Sequence, residues 1–122
     1  MPKGIEKREA CEQKTVYCTF NPDNQHQVAG QISFNQLKNC SILINGQFNT
    51  NYINMIHITL KPDAIEPSIF NLEEYVKDFN KPFYISISKN PFPADFFTVK
   101  KYYCVAAAAF DNVVVLGSAH IL

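Results

Sequence analysis

Apolar and polar residues alternate along several segments of this chain. The alternation is clearest over residues 28–34, 40–48, 54–60 and 113–121. A period of two is typical of strands that bury one face and expose the other. Further strands are predicted over residues 15–20, 83–88 and 96–110. The sequence therefore predicts a mainly β protein, an antiparallel β-sandwich of about seven or eight strands.

The same alternation predicts which side chains form the core. The apolar positions of each strand should face the opposite sheet, because they all lie on one side of the strand. The residues expected to be buried are Ile32, Phe34, Ile42, Ile44, Ile56 and Ile58. Asn45-Gly46 resembles a two-residue hairpin turn, but the alternation continues through it. We therefore expect a strand at that point and the turn at residues 49–51.

One segment has helical periodicity instead. Asn71 is a suitable N-cap, and Glu74 three residues later completes a capping-box pattern. Apolar residues recur at the spacing of one helical face, at Leu72, Tyr75, Val76 and Phe79. The sequence predicts one short connecting helix over residues 72–79.

The length of the chain, 122 residues, is that of a single domain. We expect residues 15–122 to form one β-sandwich domain and the polar, charged residues 1–14 to be flexible. The most apolar stretch, residues 105–122, alternates and is interrupted by polar side chains. It is therefore expected to form buried strands and not a membrane span.

The charge of the chain argues against a nucleic-acid partner. Eleven basic residues balance eleven acidic ones, and Arg8 is the only arginine. Nucleic-acid binding depends on clustered lysines and arginines, and Lys100-Lys101 is the only basic pair beyond the N-terminal segment. We expect the partner to be a protein or a surface ligand.

Two features favour secretion. Residues 7–10, Lys-Arg-Glu-Ala, resemble the dibasic processing site of the fungal secretory pathway, so residues 1–10 are either a processing remnant or a charged leader. The four cysteines suit two disulfides in an oxidising compartment. The alternative is a cytoplasmic domain with four buried thiols. Asn39-Cys40-Ser41 matches the N-glycosylation acceptor, which matters only if the protein is secreted.

Four cysteines allow three pairings. Cys40 begins an early predicted strand and Cys104 lies in a late one, so a Cys40–Cys104 bond would close a long loop. Cys11 and Cys18 are then the remaining pair. No two cysteines have the spacing of a zinc site, and no cofactor is expected.

Several strand sequences resemble a known family. Residues 28–34 (VAGQISF), 44–48 (INGQF) and 56–59 (IHIT) are similar to early strands of the copper/zinc superoxide dismutases, and residues 115–119 to their last strand. Small secreted fungal proteins without an enzymatic site have similar strand motifs. The resemblance implies a superoxide-dismutase-like sandwich, with an immunoglobulin-like one as the alternative.

The resemblance also implies that the metal chemistry is absent. The family's strand carries two copper ligands as His-x-His, whereas this chain has His57 followed by Thr59. A neutral hydroxyl is a poor copper ligand, and His26 and His120 are the only other histidines. We expect His57 to lie partly exposed beside Met55, without copper or zinc.

No catalytic arrangement stands out in the sequence. Glu73 and Glu74 are adjacent on the predicted helix and diverge, and the chain has neither a Gly-x-Ser-x-Gly motif nor a glycine-rich phosphate loop. We expect a non-enzymatic binding protein.

Candidate binding residues are the aromatic side chains near predicted loops and strand ends. They are Phe92, Phe96, Tyr102 and Tyr103. The alternative is that they cap the ends of the core. The small residues 106–109 suggest a further alternative, a carrier of an apolar ligand between the sheets, and a degenerate copper protein comes last.

Overall fold

The computed structural model describes residues 11–22, 28–49, 53–60, 68–98, 101–109 and 113–121. The chain is mainly β, as predicted. The strands, in chain order, are β1 (Lys14–Phe20), β2 (Gly30–Gln36), β3 (Ile42–Phe48), β4 (Met55–Thr59), β5 (Phe70–Asn71), β6 (Phe83–Ile87), β7 (Tyr103–Ala109) and β8 (Val113–His120).

The strands form two four-stranded sheets that pack face to face. The first sheet has the order β1-β2-β3-β6, and the second has the order β5-β4-β7-β8. All neighbouring strands are antiparallel. The chain crosses between the sheets after β3, β5 and β6, so each sheet contains strands that are distant in sequence. The prediction of an antiparallel β-sandwich is confirmed.

The core lies between the two sheets and is formed by the residues that alternation predicts. All six side chains are completely buried, namely Ile32, Phe34, Ile42, Ile44, Ile56 and Ile58. Asn45 and Gly46 lie within β3, so the expectation of a strand there is also confirmed. A period of two is reliable here because each strand has one face toward the core.

The predicted strand over residues 96–110 is wrong in its first part. Residues 94–98 form turns, with hydrogen bonds from the Phe96 amide to the Pro93 carbonyl and from the Thr98 amide to the Asp95 carbonyl. The strand itself begins at Tyr103. The Tyr102 hydroxyl donates to Asp95 Oδ1 at 2.5 Å, and this bond connects the turn to the start of β7.

The predicted helix over residues 72–79 is also shorter than expected. Only a 3-10 turn, Leu72–Glu74, forms. Asn71 precedes this turn in register with His57 of β4, and its side chain makes no cap because its Oδ1 accepts a hydrogen bond from Ser68 Oγ. Phe70 and Tyr75 nevertheless stack at 5.5 Å between ring centroids, the contact expected of a hydrophobic staple.

The disulfide joins Cys11 to Cys40, with Cα atoms 5.1 Å apart. The predicted pairs Cys40–Cys104 and Cys11–Cys18 are therefore corrected. The reason is the register of the first hairpin, in which Lys14 lies opposite Gln36. Residues just before β1 thus meet residues just after β2, and the Cys11 amide donates to the Lys38 carbonyl at 2.9 Å. Residues 11–14, which the sequence predicts to be flexible, are attached to the domain by these contacts.

The sequence predicts no membrane span. Among the residues that the structure describes, none of the helical segments has the length and apolar character needed to cross a bilayer.

Candidate functional site

The outer face of the first sheet carries polar but uncharged side chains. In the middle of the sheet, one row of register partners crosses all four strands. It consists of Tyr17, Ser33, Asn45 and Tyr84. The two tyrosines lie on the edge strands, where Tyr17 is 45 % and Tyr84 67 % exposed. Neighbouring strands are about 4.8 Å apart, so the strand positions of the two tyrosines are about 14 Å from each other. Ser33 and Asn45 lie between them.

The polar side chains of this face hold one another in place. Within the central row, Ser33 Oγ donates to Asn45 Oδ1. In the row on one side, Gln31 Nε2 donates to Thr19 Oγ1 at 3.0 Å. In the row on the other side, Thr15 Oγ1 donates to Asn35 Oδ1 at 2.8 Å. The Asn35 side-chain nitrogen donates to the Leu43 carbonyl and to Ser33 Oγ. Because Asn45 Oδ1 is used as an acceptor, the side-chain nitrogen of Asn45 is oriented as a donor.

A cleft of about 630 Å³ lies over β2, β3 and the start of β6. Its volume is in the range of small-ligand sites, roughly 300–1,000 Å³. The polar part of its wall comes from Gln31, Ser33, Asn45, Gln47 and Asn49, and Tyr84 forms one side. None of the described residues that line it is an acid, a lysine, an arginine or a histidine. This part of the wall can therefore form hydrogen bonds and ring contacts, but it offers no charge to an ion.

The shape of the cleft depends on Gly46. A Cβ atom at this position would lie 2.6 Å from Phe83 Cζ and 3.0 Å from the Gln31 carbonyl oxygen. Only glycine therefore lets the Phe83 ring pack against β3. This packing fixes the position of β6, and with it that of Tyr84.

The outer face of the second sheet is different, because much of it is covered. His57 is only 9 % exposed and Thr59 is completely buried, although both point away from the core positions Ile56 and Ile58. Val105, the register partner of His57, is completely buried as well. The expectation that His57 has a solvent-exposed edge is wrong, because the outer surface of β4 is covered.

Burial lowers the pKa of His57 below its ordinary value of 6.5, and the nearby Glu73 carboxylate opposes this shift. The neutral imidazole is thus favoured in the folded protein.

The free energy of unfolding should fall as the pH decreases below about 6.5. Below that pH the unfolded chain protonates His57, whereas the folded chain, with its lower pKa, does not, so protons favour unfolding. Urea unfolding midpoints measured between about pH 7 and pH 5 test this expectation.

The H57Q variant should lose most of this pH dependence, and H120Q is the matched control. An unchanged slope in H57Q would assign the effect to another group.

The aromatic residues that the sequence suggests for binding do not form a surface. Phe96 is completely buried, and Phe92 and Tyr102 are also buried. Phe92 stacks on Phe96 with centroids 4.1 Å apart, because the turn at residues 94–98 directs these rings into the core. Tyr103 is half-buried and stacks on His120 at 4.8 Å. The alternative, that these residues cap the core, is the correct interpretation for Phe92, Phe96 and Tyr102.

The other candidate positions are separate from the cleft. His57 in β4 and His120 in β8 are separated by β7, and His26 lies outside the described residues. In the part of the chain that the structure describes, no three His, Cys, Asp or Glu side chains are grouped to hold a metal ion. Asn39 is exposed, and its Oδ1 accepts hydrogen bonds from the Ser41 amide and hydroxyl.

Ala106 and Ala107 of β7 lie on different faces of the strand. Ala106 belongs to the core cluster, whereas Ala107, also buried, follows it on the other face. These two side chains therefore do not line one space between the sheets.

Sequence reasoning missed the cleft, although its residues were visible in the pattern. They are the polar positions of the alternating strands, which the alternation alone marks only as the solvent-exposed face of the sandwich. The signal that could have found them is the absence of charge at every second position in residues 15–19, 31–35 and 43–47.

Models of protein families, curated protein sequences and solved protein structures give no significant match to this chain.

Proposed function

We propose that this protein is a non-catalytic, secreted binding domain whose ligand is a neutral saccharide held in the cleft of the first sheet. The observation that carries this proposal is the chemistry of the cleft wall, which combines amide and hydroxyl groups with an exposed tyrosine and has no charged residue among the described ones. Of the partners expected from the sequence, a protein or a surface ligand, the proposal selects a surface ligand and specifies it as a glycan.

The absence of charge selects the class of ligand. A phosphate, a sulfate or a carboxylate would lose its hydration in the cleft without gaining an opposite charge, which is costly. A sugar hydroxyl instead both donates and accepts, and so do the side chains of Gln31, Ser33, Asn45 and Gln47. Because Asn45 Oδ1 already accepts from Ser33, the Asn45 N–H donors are oriented before a ligand arrives.

Tyr84 supplies the apolar contact. A sugar ring has one face made mainly of C–H groups, which packs against an aromatic ring while the hydroxyls at its rim bond to polar groups. Among the described residues, Tyr84 is the most exposed of the large hydrophobic side chains, at 67 %. An aromatic ring provides large contact area at a small cost in side-chain entropy.

The lack of catalytic groups supports a binding role. Hydrolysis of a glycoside needs a pair of carboxyl groups on either side of the bond, and the cleft wall has none. The disulfide between Cys11 and Cys40 supports secretion, since disulfides persist in oxidising compartments.

The relation to the copper/zinc superoxide dismutase-like sandwich stays a proposal about the fold alone. Sandwiches of unrelated sequence share this architecture, so the proposed function does not depend on it. A cytoplasmic protein-interaction domain is the alternative function, and it would use the same exposed sheet face.

The test is the migration of the purified protein in native gels that contain a neutral polysaccharide. Soluble β-glucan, mannan and galactomannan are the probes, and pectin is the anionic comparison. We expect retardation by at least one neutral polymer, independent of salt because no ion pairs are formed. The Y84A variant should bind about tenfold more weakly or worse, since loss of a central aromatic contact costs about 2 kcal/mol.

Two variants control this experiment. Y84F keeps the ring and should bind nearly as the wild type does. Y75A removes a tyrosine that is 46 % exposed but lies outside the cleft, and it should leave binding unchanged. Retardation by pectin alone, equal binding of Y84A and the wild type, or no retardation by any neutral polymer would each contradict the proposal.

A further inference from the structure

The two cysteines outside the Cys11–Cys40 disulfide lie close together in the interior. Cys18 belongs to β1 of the first sheet and Cys104 to β7 of the second. Both are completely buried, and both are present as thiols. The fold thus brings two nucleophilic side chains together from opposite sheets. Neither of them lines the binding cleft.

The neighbourhood of the two sulfurs is well defined. Cys18 Sγ donates to the Ala119 carbonyl at 3.1 Å, and Ala119 is the register partner of Cys104. A backbone bridge between Cys18 and Ile121 fixes β1 against the end of β8. The bridge from β1 to Ile121 and the pairing of β8 with β7 therefore place Cys18 and Cys104 beside each other in the core.

We propose that Cys18 and Cys104 form a second disulfide, which links the two sheets through the core. The first disulfide joins two parts of one hairpin and closes a loop with a sequence separation of 29 residues. The second would connect the beginning of the domain to its penultimate strand.

The bond forms by oxidation of the two thiols. Each sulfur loses one proton and one electron, and the S–S bond replaces two S–H bonds. The oxidant is a small-molecule disulfide such as oxidised glutathione, whose own S–S bond takes up two electrons and two protons to give two thiols.

Burial limits when this reaction occurs. Desolvation, and then the hydrogen bond with Cys18, raise the pKa of the Cys104 thiol well above its usual value. Exchange requires a thiolate and access to the oxidant, and the folded interior offers neither. The bond therefore forms while the chain is still folding, and reduced protein that has already folded resists oxidation.

Tryptic peptide mapping without reduction tests the pairing directly. Cleavage after lysine and arginine leaves the four cysteines in four different peptides, residues 9–14, 15–38, 39–77 and 102–122. The protein is unfolded and reduced, refolded in a glutathione redox buffer, alkylated in denaturant and digested. We expect one linked product of peptides 15–38 and 102–122 and another of peptides 9–14 and 39–77.

The C11A/C40A variant isolates the proposed bond. Its oxidised and reduced forms are the same polypeptide, so a difference in the urea midpoint comes from the Cys18–Cys104 link alone. We expect the oxidised form to unfold at a midpoint higher by about 1–3 M, since a long closed loop restricts the unfolded chain most. Adding oxidised glutathione to the folded, reduced variant should give the link much more slowly than refolding does.

Three results would overturn the proposal. One is full alkylation of Cys18 and Cys104 after oxidative refolding of a wild-type chain that contains the Cys11–Cys40 link. Another is a mixed pairing, such as peptide 9–14 joined to 15–38. The last is equal urea midpoints for the oxidised and reduced forms of C11A/C40A. The peptide map depends only on the wild-type chain, so it decides the question even if the variant does not fold.

Discussion

Replacing Phe96 with alanine should lower the free energy of unfolding by about 3–5 kcal/mol, the usual cost of emptying a buried phenylalanine site. The ring is completely buried and stacks on Phe92 at 4.1 Å. It also meets Phe34 edge-on at 5.6 Å and Tyr102 at 5.4 Å. Few neighbours can move into the space, because both sheets and the turn at residues 94–98 converge on this ring. Urea unfolding followed by circular dichroism measures the loss.

The size of this effect distinguishes a core residue from a surface one. F96L, which keeps most of the apolar volume, should cost clearly less than F96A. Y84A, at an exposed ring, should change the free energy of unfolding by about 0.5 kcal/mol or less. A loss in F96A no larger than that in Y84A would mean that Phe96 is not part of the core.

Removal of the Cys11–Cys40 disulfide in C11A/C40A should cost about 2–5 kcal/mol, as for other small secreted domains. The bond fixes the start of β1, and its absence enlarges the set of conformations of the unfolded chain. The measurement is the urea midpoint of the oxidised variant compared with that of the oxidised wild type.

A second variant separates the cross-link from the backbone conformation. Cys40 has a φ of 71°, in the left-handed region that favours glycine. C11A/C40G should therefore be more stable than C11A/C40A by about 1 kcal/mol. Loss of less than about 1 kcal/mol in both variants would show that the link contributes little.

Alternation predicted the strands well because it reports one local quantity, which side of a strand is buried. It failed at two segments for different reasons. Asn71 has the sequence of a helix cap, yet it pairs with β4 and its Oδ1 accepts from Ser68, so it makes no side-chain cap. Neither interaction is visible in the capping pattern. Phe96 has the sequence of a strand residue, yet Pro93 and Asp95 begin a turn around it. That turn is local, and its turn-forming residues are present in the sequence.

The candidate site was predictable only in part. The uncharged positions of β2 and β3 can be recognised in the sequence, but their grouping with Tyr84 requires the pairing of β3 with β6. Likewise, His57 and Ser33 both occupy outward positions of the alternating pattern. His57 is nevertheless buried, because the outer face of β4 is covered. Which sheet face stays exposed therefore depends on tertiary packing and not on the local pattern.

The order of the strands also affects whether the chain associates with itself. An unpaired edge strand is a template on which another chain can add and begin aggregation. β1, one edge of the first sheet, is bridged to Ile121 at the end of β8, and the edge strand β5 has only two residues. Of the two edges of the first sheet, β6 is the one without such a bridge among the described residues, so it is the more open to addition. It is five residues long and lies between Pro82 and Lys89, two residue types that oppose the addition of a strand.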